Sequence, residues 1–529
     1  MKQMNNEIIY PRSEEEVLLI LATAKKEGHL LEIIFDEFVK KPFSMPVLWG
    51  CRAYFYGLKK EELSAHPVLY THLALLSAMD GDLSQAKAYV QFMGKTPRLV
   101  KMDTYDMIDI CRIKTELVMP YISDAMFFRI VSFLIEEELV PVMGLTLSAC
   151  RPSILNGFRD FTRYGKYLKK SKDRITEAAC RLYGGSVGQK VYEIMLAEWY
   201  YQNNNCFEAL ILVTGTIPLI EQERDMRCLF VALALQMKIL LVNGQTKAAR
   251  PLVEKIRKRI QITGWDELTS SLNAIECLGA CYDGRLQDVE RWLDDIAPDE
   301  NKGIFMMDMY AWMVKVRCYI QTGKYMAAYV LTHQLIALLI PGRRYMDLCE
   351  CYMLSAIIYY KMKNMEGMCE ELSKTIALAK RCGYIRLLAD TGNCMVQMLA
   401  IYQKEYEEDS FISEIKELAY SVGTYFPDYL KSPYEYYEPL TQMEEKVFRL
   451  MAQGLSNDDI ARQLGKKTGT VKFHSCNIFR KLQVPTRQEA VLQVNISRRL
   501  TATGTRLMEI SIKMPEVHIF IFIVREHLM

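Results

Sequence analysis

Apolar side chains recur at helical spacing along most of this chain. From Val17 to Gly28, VLLILATAKKEG carries them on one face, and Ser13-Glu14-Glu15-Glu16 ahead of it has the form of a capping box. Proline and glycine fall mainly between such runs, as at Pro42, Pro46, Pro67, Pro97 and Pro120. Strand-like alternation is nearly absent before the last dozen residues. The pattern predicts an all-α protein.

A short phrase repeats within this helical background. Tyr319, Gly323, Tyr325 and Ala328 place an aromatic before a turn, glycine in it, then an aromatic and a small residue on the next helix. The same frame reads Tyr200, Asn204, Cys206, Ala209, then Leu240, Gly244, Thr246, Ala249, then Ala280, Gly284, Leu286, Val289. It returns as Tyr360, Asn364, Glu366, Cys369, with an outlier far upstream at Ser77, Gly81, Leu83, Ala86. Glycine and asparagine tolerate the left-handed backbone of a helix-ending turn, and the small residue allows close helix approach. The steps of about forty residues resemble a stretched tetratricopeptide array, in which neighbouring helix pairs stack into a superhelix with a concave groove.

At 529 residues the chain exceeds one compact domain, and its net charge of +2 names no partner. Fifteen cysteines without framework spacing read as reduced cytosolic thiols. There is no C-x-x-C pair; Cys277 and Cys281, and Cys349 and Cys351, fit buried helix faces better than a zinc site. No signal peptide or membrane span is recognised, so the expected location is the cytoplasm, with no membrane partner.

Charge is uneven along the chain. Between 401 and 438 nine acids face three lysines, and Pro433 interrupts the stretch, which reads as an acidic helix followed by a linker. Between 439 and 499 the balance reverses to eleven bases against five acids, a footprint suited to a polyanion. Thr441-x-x-Glu444 opens a first helix there, and Gly454 ends it. Ser456 caps a second, with Asp458 and Asp459 at the positive end of its dipole. Gly465 turns into a third over Thr468–Leu482, and Thr486-x-x-Glu489 opens a fourth that runs to about Val494. In physical outline this is a helix-turn-helix.

Its residues resemble the LuxR-type DNA-binding domain. The matching positions include Leu440-Thr441, Glu444, Gly454-Leu455-Ser456-Asn457, Ile460-Ala461, Thr470-Val471-Lys472, His474, Asn477-Ile478, Lys481-Leu482, Arg487 and Ala490-Val491. The resemblance implies that the third helix enters the major groove. Helical spacing turns Val471, Ile478 and Leu482 inward and Lys472, Phe473 and Cys476 outward, with Arg480 a turn further on. Lys472 can reach guanine or phosphate, Phe473 a thymine methyl, and Thr468 and Thr470 a phosphate. His474, Lys481 and Arg487 complete the expected DNA-binding set. Lys466 and Lys467 stand where the family has an apolar residue and then Ser or Thr, and two cations there oppose the helix dipole.

A LuxR-type domain behind a helical array resembles the large MalT-like regulators, and GYIRLLADTG, from Gly383 to Gly392, resembles a segment near the end of their array. That family normally begins with an ATP-binding module, but no G-x-x-x-x-G-K-[ST] occurs in this sequence, so ATP-driven switching is not carried over. No enzyme motif is found, and no cofactor or metal is expected. The expected divisions are an N-terminal helical region over 1–195, TPR-like repeats over 196–400, the acidic helix and linker over 401–438, the helix-turn-helix over 439–495 and a flexible tail over 496–529. The reading is a sequence-specific regulator that binds double-stranded DNA as a dimer or higher oligomer and works with RNA polymerase. A small molecule or protein effector would bind the array. The alternatives are a helical-repeat scaffold without an operator, and a partner subunit for a separate ATPase.

Overall fold

The computed structural model describes residues 14–40, 45–94, 107–119, 121–136, 152–157, 159–183, 185–223, 226–404, 409–432, 441–452, 454–482 and 487. The Ser13 cap, the fourth helix of the C-terminal module (apart from residue 487) and the tail lie outside them. Among the described residues there is no β-strand, only an isolated bridge between Asn156 and Asp160. The protein is all-α, as the periodicity predicts.

Among the described residues, ten α-helices form the N-terminal part: α1 (Glu14–Glu27), α2 (Leu30–Phe38), α3 (Met45–Gly50), α4 (Arg52–Tyr56), α5 (Lys60–Ala65), α6 (Leu69–Met79), α7 (Leu83–Gly94), α8 (Met107–Val118), α9 (Asp124–Glu136) and α10 (Lys172–Tyr183). In α1 the buried positions are Val17, Leu21 and Ala24, the single face that the sequence pattern marks. The apolar helix α6 runs through this core, and its His72 is buried with Nε2 2.9 Å from the Phe38 carbonyl oxygen. Burial of that ring pushes its pKa down to about 4.

Five helix pairs follow: α11 (Gly185–Gln202) with α12 (Cys206–Glu223), α13 (Met226–Val242) with α14 (Thr246–Thr263), α15 (Thr269–Tyr282) with α16 (Leu286–Asp295), α17 (Met309–Gln321) with α18 (Tyr325–Leu339), and α19 (Tyr345–Lys361) with α20 (Met365–Cys382). Each pair turns through one left-handed residue: Asn204, Gly244, Gly284, Gly323 and Lys363, at steps of 39 or 40 residues. In every turn the amide one residue further on donates back to the carbonyl five residues before it. These bonds run from Asn205, Gln245, Arg285, Lys324 and Asn364 to Tyr200, Leu240, Ala280, Tyr319 and Tyr359, all at 2.8–2.9 Å. Asp82 and Ser77 repeat the bond around Gly81 in the upstream outlier.

The fifth repeat corrects the sequence frame by one residue. Its left-handed position is Lys363, and Asn364 instead caps α20, its side-chain oxygen accepting from the Gly367 amide. In the corrected frame the packing residue five positions on is Met368 rather than Cys369. Ala209, Ala249, Val289, Ala328 and Met368 are all buried, where consecutive helices press together.

The 401–438 segment also differs from expectation. The helix α21 (Ile385–Ala389) and α22 (Asn393–Tyr402) close the array, and α23 (Ser410–Tyr425) packs back on it, its N-terminus capped by Asp409 through the amides of Phe411 and Ile412. Residues 426–432 are not a linker. Phe426, Tyr429 and Leu430 are buried, the Tyr429 ring stacks on Tyr282 at 4.0 Å, and Arg317 Nε donates to its hydroxyl. Apolar burial overrides the polar composition that suggested a linker. The GYIRLLADTG segment forms a polar hub in this core. Arg386 pairs with Asp390 at 2.7 Å, the Tyr201 hydroxyl donates to the Asp390 carboxylate, and the Tyr282 hydroxyl donates to its carbonyl at 2.8 Å. Asp390 is paired with Arg386 and hydrogen-bonded through Oδ2, while its Oδ1 and the Arg386 Nε and Nη2 rest on the ion pair alone.

Candidate nucleic-acid interface

Three short helices complete the described chain: α24 (Gln442–Ala452), α25 (Asn457–Leu464) and α26 (Thr468–Leu482). Their boundaries follow from local chemistry. At α24 the Thr441 amide donates to Glu444 at 2.7 Å and the Glu444 amide returns the bond to the Thr441 hydroxyl at 3.3 Å. Gly454 takes φ +85° beyond its end. Ser456 and Asp459 form a second reciprocal cap on α25, one residue pair more than the sequence reading assigned. Gly465, at φ +60°, closes α25 and sets the tight turn into α26. Val447, Met451, Ile460, Ala461, Val471 and Ile478 are buried together as the small core that fixes the three axes.

That core orients α26. Val471 and Ile478 face inward, while Lys472 and Cys476 are exposed and the Phe473 ring is 63% exposed. Other large apolar side chains are as exposed, Phe207 at 72% among them, so what distinguishes Phe473 is its place beside Lys472 on the outward face of α26. Thr470 is exposed beside it, as are Lys466 and Lys467 in the turn. No carboxylate among the described residues pairs with Lys466, Lys467 or Lys472. Gly469 adds no bulk, and a Cβ built there would meet nothing within 4 Å. The face thus combines three cations, a hydroxyl, an aromatic ring and a thiol on one turn and the first half of one helix.

Four expected residues are placed differently. The Thr468 hydroxyl donates to Asp458 at 2.7 Å instead of projecting outward. That bond brings a carboxylate to the start of α26, which offsets the repulsion between Lys466, Lys467 and the helix dipole. The Lys481 ammonium is nearly buried and pairs with Glu444 at 2.8 Å, tying the end of α26 to the cap of α24. Burial acts to raise the Glu444 carboxyl, but Lys481 and Thr441 outweigh it and hold it below the usual range. Arg487 donates to the Asn457 side chain at 2.9 Å and to the Leu455 carbonyl, bracing the turn before α25. His474 is half-buried, with its ring 6.0 Å from that of Phe473. Lys481 and Arg487, both expected at the DNA face, are engaged inside the module, where each ties two of its elements together. The signal that could have identified Lys481 is its position one helical turn past Ile478, on the side facing the α24 cap. The Arg480 side chain lies outside the described residues. The residues that the sequence reading left out of the site are Lys466 and Lys467, which it treated as a departure.

Comparison with known proteins agrees with this geometry. The family described as bacterial regulatory proteins, luxR family, matches residues 438–494, and the MalT-like TPR region matches residues 184–405. The chain is 29% identical over 215 residues to the HTH-type transcriptional regulator MalT of Serratia proteamaculans, covering 36% of this chain and 23% of that protein. It is 29% identical over 204 residues to MalT of Yersinia enterocolitica, covering 34% and 22%. The chain thus matches less than a quarter of the length of these curated relatives. It joins a MalT-like TPR region to a C-terminal helix-turn-helix domain of the luxR family of bacterial regulatory proteins.

Proposed function

We propose that this chain is a sequence-specific DNA-binding transcription regulator whose C-terminal module reads an operator through α26. The observation that carries the reading is the exposed face of Lys466, Lys467, Thr470, Lys472, Phe473 and Cys476 on a helix that a capped, packed core holds rigid. Lys472 supplies a cation for guanine or phosphate and Phe473 a surface for a thymine methyl. Lys466, Lys467 and the exposed Thr470 hydroxyl supply sequence-independent contacts to phosphate.

On this reading the divisions at 196–400 and 439–495 separate a sensing array from a DNA-reading module, with RNA polymerase as the downstream partner and a dimer as the bound form. A regulator of this kind acts in the cytoplasm; among the described residues no helix is long and apolar enough to cross a membrane. The effector site we assign is the cleft where α6 and the segment before α9 meet the array, lined by Met79, Met119, Asp124, Arg159, Asp160, Arg163, Met307 and Arg343; Arg159 and Arg163 already pair with Asp124, so Arg343 is the residue to test. A thermal-shift screen of small anions against wild type and Arg343→Ala tests that assignment. Loss of the shift in the variant supports it, and an equal shift in both rejects it.

The operator reading is tested by selection from a random duplex pool at two salt concentrations, run with wild type and Lys472→Ala. A motif enriched by wild type and lost in the variant supports it. Enrichment of no motif, with all binding lost alike in salt, leaves only a basic surface.

A further inference from the structure

The array contains a group of side chains that neither DNA reading nor repeat packing requires. Cys277 and Cys281 lie one turn apart on α15, and Cys318 faces them from α17. Cys318 Sγ is 3.4 Å from Cys277 Sγ and 3.8 Å from Cys281 Sγ, and all three sulfurs lie within 4.8 Å of one another. These are free thiols, since a disulfide needs ~2.05 Å. They are buried, at 4%, 0% and 0% exposure.

Their spacing has a definite meaning. Four sulfurs arranged tetrahedrally at ~2.3 Å from a central ion stand about 3.8 Å apart, so three of these positions are already close to ligand separation. Two buried thiols can be incidental, because cysteine is a common core residue. Three converging from two successive repeats place their sulfurs at the mutual separation that ligands of one small soft cation adopt.

The nearby cations Arg317 and Arg285 are already paired, with Glu350 and with Asp283 and Asp288, so the sulfur geometry carries the argument. Gln321 stands one turn beyond Cys318, buried at 2% exposure, with Nε2 donating to the Cys281 carbonyl at 3.1 Å. Its Oε1 is buried with no hydrogen-bond partner among the described residues. A buried acceptor left open is costly, and this one belongs to the residue that holds the Cys281 backbone in place. Thiolate sulfur selects soft or borderline cations over Mg2+ and Ca2+.

We propose that Cys277, Cys281 and Cys318 form a binding site for one thiophilic d10 cation, Zn2+ or Cu+, inside the repeat array. Binding replaces three S–H bonds with three sulfur–metal bonds and releases the protons to solvent. Because the ligands lie on α15 and α17, the cation staples one repeat to the next. It thereby stiffens the superhelix near the polar hub at Asp390, to which Tyr282 of α15 donates. Metal loading would therefore stabilise the array by mass action.

The test uses the full-length chain, reduced and kept anaerobic. Zn2+ and Cu+ are titrated separately in competition with a chromophoric chelator, which distinguishes the two ions. Wild type should hold one equivalent that Cys318→Ser and Cys277→Ser lose, while Cys394→Ser, a buried cysteine on α22, keeps it. A second readout needs no variant: in denaturant sufficient to open the array, bound metal should slow alkylation of Cys277, Cys281 and Cys318, read by mass spectrometry, without slowing that of the exposed Cys476. Failure of wild type to hold either ion, retention of the equivalent in Cys318→Ser, or alkylation of the three thiols unchanged by metal overturns the proposal.

Discussion

The array and the C-terminal module put their basic side chains to opposite ends, arginines in the one and lysines in the other. In the array, Arg317, Arg344 and Arg386 are buried and matched by Glu350, Asp347 and Asp390 at 2.7, 2.5 and 2.7 Å. Arg344 also donates to the Gly157 carbonyl and to the Asn156 side chain, joining the array to the segment before α10. In the module, Lys466, Lys467 and Lys472 stand in water with no carboxylate paired to them among the described residues. A buried cation without its partner costs several kcal/mol, whereas an exposed one costs almost nothing to remove. The contrast separates residues that specify structure from residues left available to a ligand. Lys481 shows that the boundary runs through the module itself.

The largest effect should come from breaking a buried array pair. Asp347→Ala leaves Arg344 without its closest carboxylate, and chemical denaturation should show a loss of about 3–5 kcal/mol in the array transition. A loss below about 1 kcal/mol would mean that the network is wetter than its burial indicates.

Lys481→Ala comes next. It removes a partly screened pair and a charge-assisted hydrogen bond to Glu444, so the module should lose about 1–3 kcal/mol of stability. The same pair predicts an acid dependence. The Glu444 carboxyl is held below its ordinary value of 4.5 in the folded module, so its contribution is full above that pH. It is lost as pH falls through the depressed value, and this acid step should be smaller in Lys481→Ala, where only Thr441 still holds the carboxyl down.

A turn substitution is expected to be smaller. Gly284 has φ +67°, and an added Cβ would lie 3.1 Å from that of Asp428, so Gly284→Ala should cost about 1–2 kcal/mol. The turn is only partly buried and belongs to the array, so the thermal midpoint of the array should fall without any change in DNA binding.

The N-terminal helices offer a finer probe. The His72 ring titrates at 6.5 when exposed and at about 4 when buried. Both states are neutral above 6.5, so nothing is lost there. As pH falls below 6.5 the unfolded ring gains a proton that the folded one refuses, and stability declines towards pH 4. A pH series of melting curves should show this slope in wild type and a weaker one in His72→Gln.

Much of this was legible in the sequence, and the particular failures have physical causes. The turn glycines and Asn204 marked four of the five repeats because only certain residues accept a left-handed backbone cheaply. Lys363 broke that rule in the fifth, and the asparagine beside it, a helix cap, drew the frame one residue late. The inward and outward faces of α26 followed from spacing alone. What spacing could not supply was the partner of each polar group. Thr468 finds Asp458, Lys481 finds Glu444 and Arg487 finds Leu455 and Asn457 only after the chain folds. The packing of residues 426–432 on Tyr282 and Arg317 joins positions more than a hundred residues apart, and composition alone pointed to a linker. The meeting of Cys318 with Cys277 and Cys281 is likewise a product of stacking between repeats.

The most direct test of the account compares Lys472→Ala with Lys481→Ala on the operator that wild type selects, measuring affinity and melting in each. Lys472→Ala should lose about 1–3 kcal/mol of binding, with melting unchanged and a salt dependence reduced by about one phosphate contact if it touches the backbone. Lys481→Ala should melt earlier, yet bind with nearly wild-type affinity at temperatures where it is folded. The reverse pattern, with Lys472→Ala binding normally and folded Lys481→Ala failing to bind, would contradict the division between reading residues and holding residues.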